Sequence, residues 1–362
     1  MSGRVYLDWN ATAPLRPEAR AAMAAAMDLA GNPSSVHAEG RAARALVERA
    51  RAELAEAVGC KAAEVVFTSG ATEAAMVLER LAALGRVEVE PTAHDALWSH
   101  RGRGAGDVAV LAMGLANSET GVLSDLPAKH QGWALPGGGA ARFLLLDVTQ
   151  GLGRVPFAFG WSGADFAILS AHKFGGPKGA GALIVREGLD TGPLATGGGQ
   201  ETGRRAGTEN IIGIAGMAAA AKAAMRDLAD GVWDGVAVRR DLLERAMESV
   251  SPGTTFVGRG LARLPNTICA VTPGWKGETE VMQMDLAGFA VSAGSACSSG
   301  KVRPSRVLKA MGFDDIAAAS ALRVSIGPAT TDAEVERFAE AWGAAAGRHR
   351  ARAAARADGR AA

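Results

Sequence analysis

The chain is poor in several things at once. It has a single tyrosine, and aromatic side chains make up 5% of its 362 residues, which leaves little material for the stacking platforms that grip single-stranded nucleic acid. Basic residues number 39 against 38 acidic ones, so no broad field of one sign exists to draw in nucleic acid or an anionic membrane. The one basic run is RHRARAAARADGR, Arg348 to Arg360, which reads as a solvated helix end or tail. The three cysteines, Cys60, Cys269 and Cys297, form no CxxC pair. That argues against a disulfide framework and a cysteine zinc site, and no metal is expected. No long uninterrupted apolar helix occurs, and the start, MSGRVYLDWN, has no apolar signal core. The expectation is a cytoplasmic protein with no direct contact to nucleic acid or membrane.

What the chain does have is alternation. Residues 16–30 and 37–58 read as helices dominated by Ala, Leu, Arg and Glu. VVF (Val65 to Phe67) reads as a short strand, and TSGATEAAMVLERLAAL turns from it directly into a helix. VAVLAM (108–113), FLLLDV (143–148), FAILSA (166–171) and GALIV (181–185) are short apolar runs bounded by Gly, Asp or Pro. Such runs suit strands covered on both faces, as in a parallel sheet between helices. Ala-rich helices over 210–230 and about 236–250 follow. Beyond them TFVG, NTICAV and FAVSAG are strand-like, mixed with helices near 279–287, 304–311 and 332–346, an α+β texture. The chain is too long for one small core. We expect a large α/β domain with a mostly parallel sheet over 15–232, and a smaller α+β domain joining 1–14 to 233–362.

The chemistry gathers at the strand ends. Ser69-Gly70-Ala71-Thr72 lies between a strand and a helix, where amide groups and the Thr hydroxyl suit a phosphate, although such turns are common. Asp147 ends FLLLDV, with Gln150 just after. A carboxylate there either points into the ligand crevice of an α/β sheet or caps the next helix. Ser170-Ala171-His172-Lys173 ends FAILSA and runs into a glycine-rich loop. A lysine just off a strand is either a solvated residue or an amine held for carbonyl chemistry. Together these supply what pyridoxal phosphate needs: an amine for its aldehyde, an acid for its pyridine nitrogen and a cup for its phosphate.

At this point the chain resembles the cysteine desulfurases, in the class V branch of fold-type I pyridoxal-phosphate-dependent transferases. The matching segments are YLDWNATAP (6–14), GNPSSVH (31–37), VVFTSGATEA (65–74), ANSETG (116–121), LLLDVTQGLG (144–153), SAHKFGGPKGAGAL (170–183), GGGQETGRRAGTEN (197–210), LPNTICAV (264–271), SAGSACSSG (292–300) and LRVSIG (322–327). They run in the family's order over nearly the whole chain. The resemblance implies that Lys173 binds the cofactor's aldehyde, Asp147 pairs with the pyridine nitrogen, and Gln150 reaches the ring hydroxyl. It implies that His94, in PTAHDAL, stacks on the ring and moves protons. Ala71, Thr72, Ser170 and His172 would hold the phosphate, and Thr208 would reach the phosphate of a partner subunit in a homodimer. Arg323 would clamp the substrate carboxylate, with Asn32 assisting. Cys297, among Gly294, Ser295, Ser298, Ser299 and Gly300, would be the nucleophile that takes sulfur from L-cysteine as a persulfide and leaves L-alanine. The sulfur would pass to a protein acceptor such as an iron–sulfur scaffold or a thiolation enzyme.

The chain departs from the family in places. Ser118 stands where the family has the second Asn of its ANNETG motif, whose side chain contacts the ring hydroxyl. EAAMVL replaces a more polar start to the helix after the cup. The spans 94–117 and 125–143 are short, and an Ala/Arg run replaces the family's scaffold-contacting tail. Two other readings follow from the sequence. One is a related class V lyase or aminotransferase acting on selenocysteine or another amino acid, with no need for Cys297. The other is a degenerate binding subunit, which would have no reason to keep Lys173, Asp147, His94, Cys297 and Arg323 together.

Overall fold

In the run Phe143–Asp147 every side chain is buried, and successive ones go to opposite sides. Leu144 and Leu146 join one apolar cluster, Phe143 and Leu145 another. The run is a strand sandwiched between two layers, which is why it has no polar alternation. The computed structural model that shows this describes residues 3–294 and 304–361, with side chains through residue 355. Contacts divide the chain into two compact units. One consists of Thr12–Asn117 and Ser124–Asp230; the other gathers Met1–Ala11, Ser118–Leu123 and Gly231–Ala362.

The first unit is built on six strands: β1 (Val65–Thr68), β2 (Arg86–Val89), β3 (Val108–Gly114), β4 (Phe143–Asp147), β5 (Phe166–Ser170) and β6 (Gly181–Val185). Their order is β1-β6-β5-β4-β3-β2. The pairs β2–β3, β3–β4 and β4–β5 are parallel, while β6 runs against both β5 and β1. The sheet is therefore mostly parallel, with one reversed strand. Its helices include α1 (Pro17–Met27), α2 (Ala38–Val58), the single turns α3 (Ala71–Ala74) and α4 (Asp95–Trp98), and α5 (Ile211–Ala229). On one face Leu144, Leu146 and Leu169 pack with Leu54 and Val58 of α2 and Met217 of α5. On the other, Leu145, Ile168 and Leu183 pack with Leu78, Leu81 and Leu97. Each fully buried side chain of this size stabilises the fold by about 1.5–3 kcal/mol.

The helix α2 shows how sequence sets its limits. The His37 side chain accepts from the Gly40 N–H at its start, and Gly59 ends it with a left-handed φ of 72°. Ala43, Val47, Ala50, Leu54 and Val58 are buried at helical spacing between those ends. The segment after β1 differs from the single helix expected. It breaks into Ala71–Ala74 and Val77–Leu81, and Met76, Leu78 and Glu79 donate to carbonyls three residues back, so the chain winds more tightly between the two pieces.

The second unit carries an antiparallel sheet of β7 (Thr255–Phe256), β8 (Thr267–Val271), β9 (Ser292–Ala293) and β10 (Ala321–Ser325), in the order β7-β8-β10-β9. Its main helices are α6 (Val232–Val250), α7 (Gly277–Leu286) and α8 (Asp332–Ala361). The N-terminal strand Val5–Tyr6 pairs in parallel with Phe289–Ala290, and Asp8 bridges to Ser325. The helix α8 runs well past the expected end near 346, because its Ala- and Arg-rich continuation is made of strong helix formers. Among the described residues no helix is long and apolar enough to cross a membrane.

Candidate active site

Asp147 closes β4 and Ser170 closes β5, on adjacent parallel strands. Thr68 closes β1 and lies in register with Gly181, which in turn lies opposite Ser170. The carboxyl ends of three strands thus share one edge of the sheet, where α/β proteins bind ligands. Glycine is required at 181 by close approach: a Cβ there would fall 2.5 Å from Gly70 Cα. At Gly70 an added Cβ would sit 3.5 Å from Ser170 Oγ, so the Ser170 hydroxyl borders the turn that leads into Ala71 and Thr72 of α3. Glu73 fastens that turn. It accepts from the Ser69 N–H (2.7 Å) and from Arg205 Nε (2.8 Å). Burial works against its ionised form, but the hydrogen bonds from Arg205 and Ser69 outweigh it and hold the Glu73 carboxyl below the usual range. The loop that carries Arg205 also carries Thr208, which is exposed.

Behind this edge the polar groups are tied together. Asp147 Oδ1 accepts from the Thr149 N–H at 2.9 Å, a local turn of the capping kind. Arg154 reaches two candidates at once: Nη1 donates to Gln150 Oε1 at 2.8 Å and Nη2 to the Lys173 carbonyl at 2.6 Å. His172 Nδ1 lies 3.2 Å from Thr12 Oγ1. Burial, then the charges of Lys173 and Lys178, push the His172 pKa down to about 4, so at neutral pH it offers a ring N–H and no charge. His94 caps α4, its Nδ1 accepting from the Ala96 N–H at 3.1 Å. The neutral ring therefore carries its proton on Nε2. The turn α4 packs against α3, and Asn117 Nδ2 holds the Thr92 carbonyl at 2.8 Å just before His94. Asn32 lies in an exposed turn, where its Oδ1 accepts from the Ser34 N–H at 2.9 Å.

This donor set fits pyridoxal phosphate. An amine and an acid stand at or just beyond neighbouring strand ends, and a hydroxyl, a neutral imidazole and a glycine-lined turn suit a phosphate. Nothing in the sequence singles out Arg154, Glu73 or Arg205, because the pairings Arg154–Lys173 and Glu73–Arg205 span 19 and 132 residues.

In the second unit Arg323 lies at the centre of β10 and is 4% exposed. Its Nη2 donates to Asp8 Oδ1 at 2.7 Å and its Nη1 to the Ser118 carbonyl at 3.2 Å, while Nε is buried with no partner among the described residues. A guanidinium with an unused buried N–H suits a further anionic ligand. Asp8 Oδ2 accepts from Ser292 Oγ at 2.8 Å. Asn10 Nδ2 also donates to the Ser118 carbonyl, at 3.1 Å, so Ser118 is held by its main chain. Asp8 and Asn10 fall in the matching segment YLDWNATAP, which was the only signal for them. Cys297 lies outside the described residues. At the other two cysteines the surroundings disfavour the thiolate. Burial, with Glu64 second, pushes the Cys60 thiol up to about 12, and burial raises that of Cys269.

A family model described as aminotransferase class-V matches residues 5–92 and 103–338, leaving the stretch around His94 unmatched. The chain is 39% identical to a cysteine desulfurase of Cereibacter sphaeroides, over 93% of this chain and 94% of that one. It is 38% identical to a cysteine desulfurase of Frankia sp. (strain EuIK1), over 93% and 90%. Its fold is similar to that of a NifS-like protein from Rickettsia africae ESF-5, with a TM-score of 0.81 and 28% identity over 94% of this chain and 98% of that one.

Proposed function

The chain belongs to the aminotransferase class-V family, in its cysteine desulfurase branch, and from that premise we propose that it is a pyridoxal-phosphate-dependent enzyme that converts L-cysteine to L-alanine and passes the sulfur on. The observation that carries this reading is the grouping of Asp147, Ser170 and Lys173 at one sheet edge in a chain related to cysteine desulfurases along nearly its whole length.

Bound at that edge, pyridoxal phosphate supplies an electron sink for bond-breaking at the amino acid. The residues of the chain do the rest. Lys173 provides the amine that holds the cofactor. Asp147, fixed by the Thr149 N–H, supplies the negative charge that keeps the pyridine nitrogen protonated. Ala71, Thr72, Ser170 and the neutral His172 hold the phosphate through N–H and O–H donors, with Thr208 serving the partner of a homodimer. His94 exchanges its proton through Nε2, since Nδ1 is spent on capping α4. Arg323 binds the substrate carboxylate, and Asn32 assists. The ring hydroxyl falls to Gln150 and Ser118. The Cys297 thiolate forms an S–S bond to the substrate sulfur as the C–S bond breaks. The electron pair of that bond goes to carbon, which takes a proton to become the methyl group of alanine. The persulfide then passes to a protein acceptor, an iron–sulfur scaffold or a thiolation enzyme. This reading sets the protein in the cytoplasm, where a reactive thiol stays reduced.

The test is to incubate the cofactor-loaded protein with L-cysteine and a thiol reductant and to assay alanine and sulfide together. Equal release of both is expected, and Cys297→Ala should lose nearly all of it while remaining yellow. A yellow wild-type protein that makes neither product from cysteine would overturn the substrate assignment.

A further inference from the structure

Arg154 is the residue through which two of the cofactor-facing groups are mechanically joined. Its side chain is among the least exposed charges of the first unit, with 3% of the residue accessible. It lies four residues after Gln150 on tight turns that follow β4, where Leu152 donates to Val148 O and Arg154 to Gly151 O. From there one arm of the guanidinium donates to Gln150 Oε1 at 2.8 Å and the other to the Lys173 carbonyl at 2.6 Å.

The chemistry of these partners leaves one orientation for the amide. A guanidinium has only donors and stays protonated at every accessible pH. The group that Gln150 turns toward it must therefore be the carbonyl oxygen, and the NH2 must face the other way. Turning the amide around would set donors against donors in a buried place, which costs free energy. We propose that Arg154 is a positioning residue for the cofactor: it forces Gln150 to act as a hydrogen-bond donor toward the ring oxygen, and it clamps the main chain of Lys173 in the same grip. The proposal rests on the cofactor reading given above.

The consequence is spectroscopic. A donor on the ring oxygen favours its ionised form and weakens that oxygen's hold on the proton shared with the Lys173 nitrogen, so that proton is lost at lower pH. In Arg154→Met the Gln150 amide is released to rotate, and the pH midpoint of the cofactor's visible band should rise by about half to one pH unit, the worth of one ordinary hydrogen bond. Gln150→Glu keeps a carboxylate oxygen on Arg154 but offers the ring an acceptor, and should move the midpoint in the same direction. Arg154→Lys retains a charge with donors but no planar fork, and should recover part of the shift; it also serves if Arg154→Met does not fold. A wild-type band with an unmoved midpoint in Arg154→Lys and Gln150→Glu would reduce Arg154 to a structural part and overturn the proposal alone. A wild-type protein that gains no visible band with pyridoxal phosphate would overturn the cofactor reading and this proposal together.

Discussion

Lys173 follows a strand whose residues are all buried, and its carbonyl is held by Arg154. Lys173→Ala is therefore expected to leave the scaffold intact and to lack the visible band that the proposed function predicts for the wild-type protein with pyridoxal phosphate. A band of unchanged position and height would remove Lys173 from the site. Residues of this kind are legible in the sequence alone. Lys173, Asp147 and Ser170 each end or follow an uninterrupted apolar run, and such a run announces both a buried strand and the edge where it stops. Arg154 and Asp8 were not legible in the same way. Arg154 finds Lys173 19 residues on, and Asp8 finds Arg323 across 315 residues. No local pattern encodes a pairing at that distance; only the family's motifs marked the neighbourhood of Asp8.

At the scale of elements, the loop around residues 199–209 is anchored by the buried Glu201 as well as by the Arg205–Glu73 pair. Glu201 accepts from Arg51 Nη1 at 2.7 Å and Nη2 at 2.9 Å, and from the Phe67 N–H at 2.9 Å. It does so from a left-handed backbone, with φ of 50° and its neighbour Thr202 at 56°, a conformation that costs a non-glycine residue about 1–3 kcal/mol. Glu201→Ala would leave Arg51 with only the exposed Glu48, at 3.2 Å, as counter-ion, and about 3 kcal/mol of stability, the low end for breaking a buried pair, should go with it, read from urea denaturation. A loss below 1 kcal/mol would mean that the pair does not anchor the loop. In the second unit, α7 holds Glu280, which is fully buried and accepts from Trp342 Nε1 of α8 at 3.1 Å. Burial raises its pKa well above 4.5, against the hydrogen bond from Trp342. The folded protein thus keeps this proton when the unfolded chain has lost it. The Glu280 contribution is fully present below about pH 4.5 and declines as pH rises above it. Glu280→Gln should gain stability relative to wild type as pH climbs from 4.5 to 8, and a difference that stays flat with pH would contradict the buried neutral acid. Elements were legible where packing repeats the sequence period, as in α2. The strand β2 was missed because RVEV is short and buries only Val87 and Val89. The break after α3 was missed because Ala-rich sequence fits one helix as readily as two turns.

At the scale of the whole molecule, each unit is assembled from separated pieces of chain. Residues 118–123 join the second unit through main-chain bonds of 2.7 Å from Leu264 to Gly121 and 2.9 Å from Leu123 to Ala262, and nothing in their composition marks them off from their neighbours. The segment Met1–Ala11 belongs to that unit too. Asp8→Ala, which takes the carboxylate from the buried Arg323, should lower the unit's resistance to denaturant without altering the absorbance of the bound cofactor. A variant as stable as wild type would show that the Ser118 carbonyl suffices for Arg323. The pairing of Val5–Tyr6 with Phe289–Ala290 also sets a schedule for synthesis. This strand leaves the ribosome about 280 residues ahead of its partner, roughly 15–55 s at ordinary elongation rates. Through that interval its edge is unsatisfied and open to wrong partners. Brevity is one protection: a strand of two residues, flanked by Arg4 and Asp8, offers little for a neighbouring nascent chain to extend.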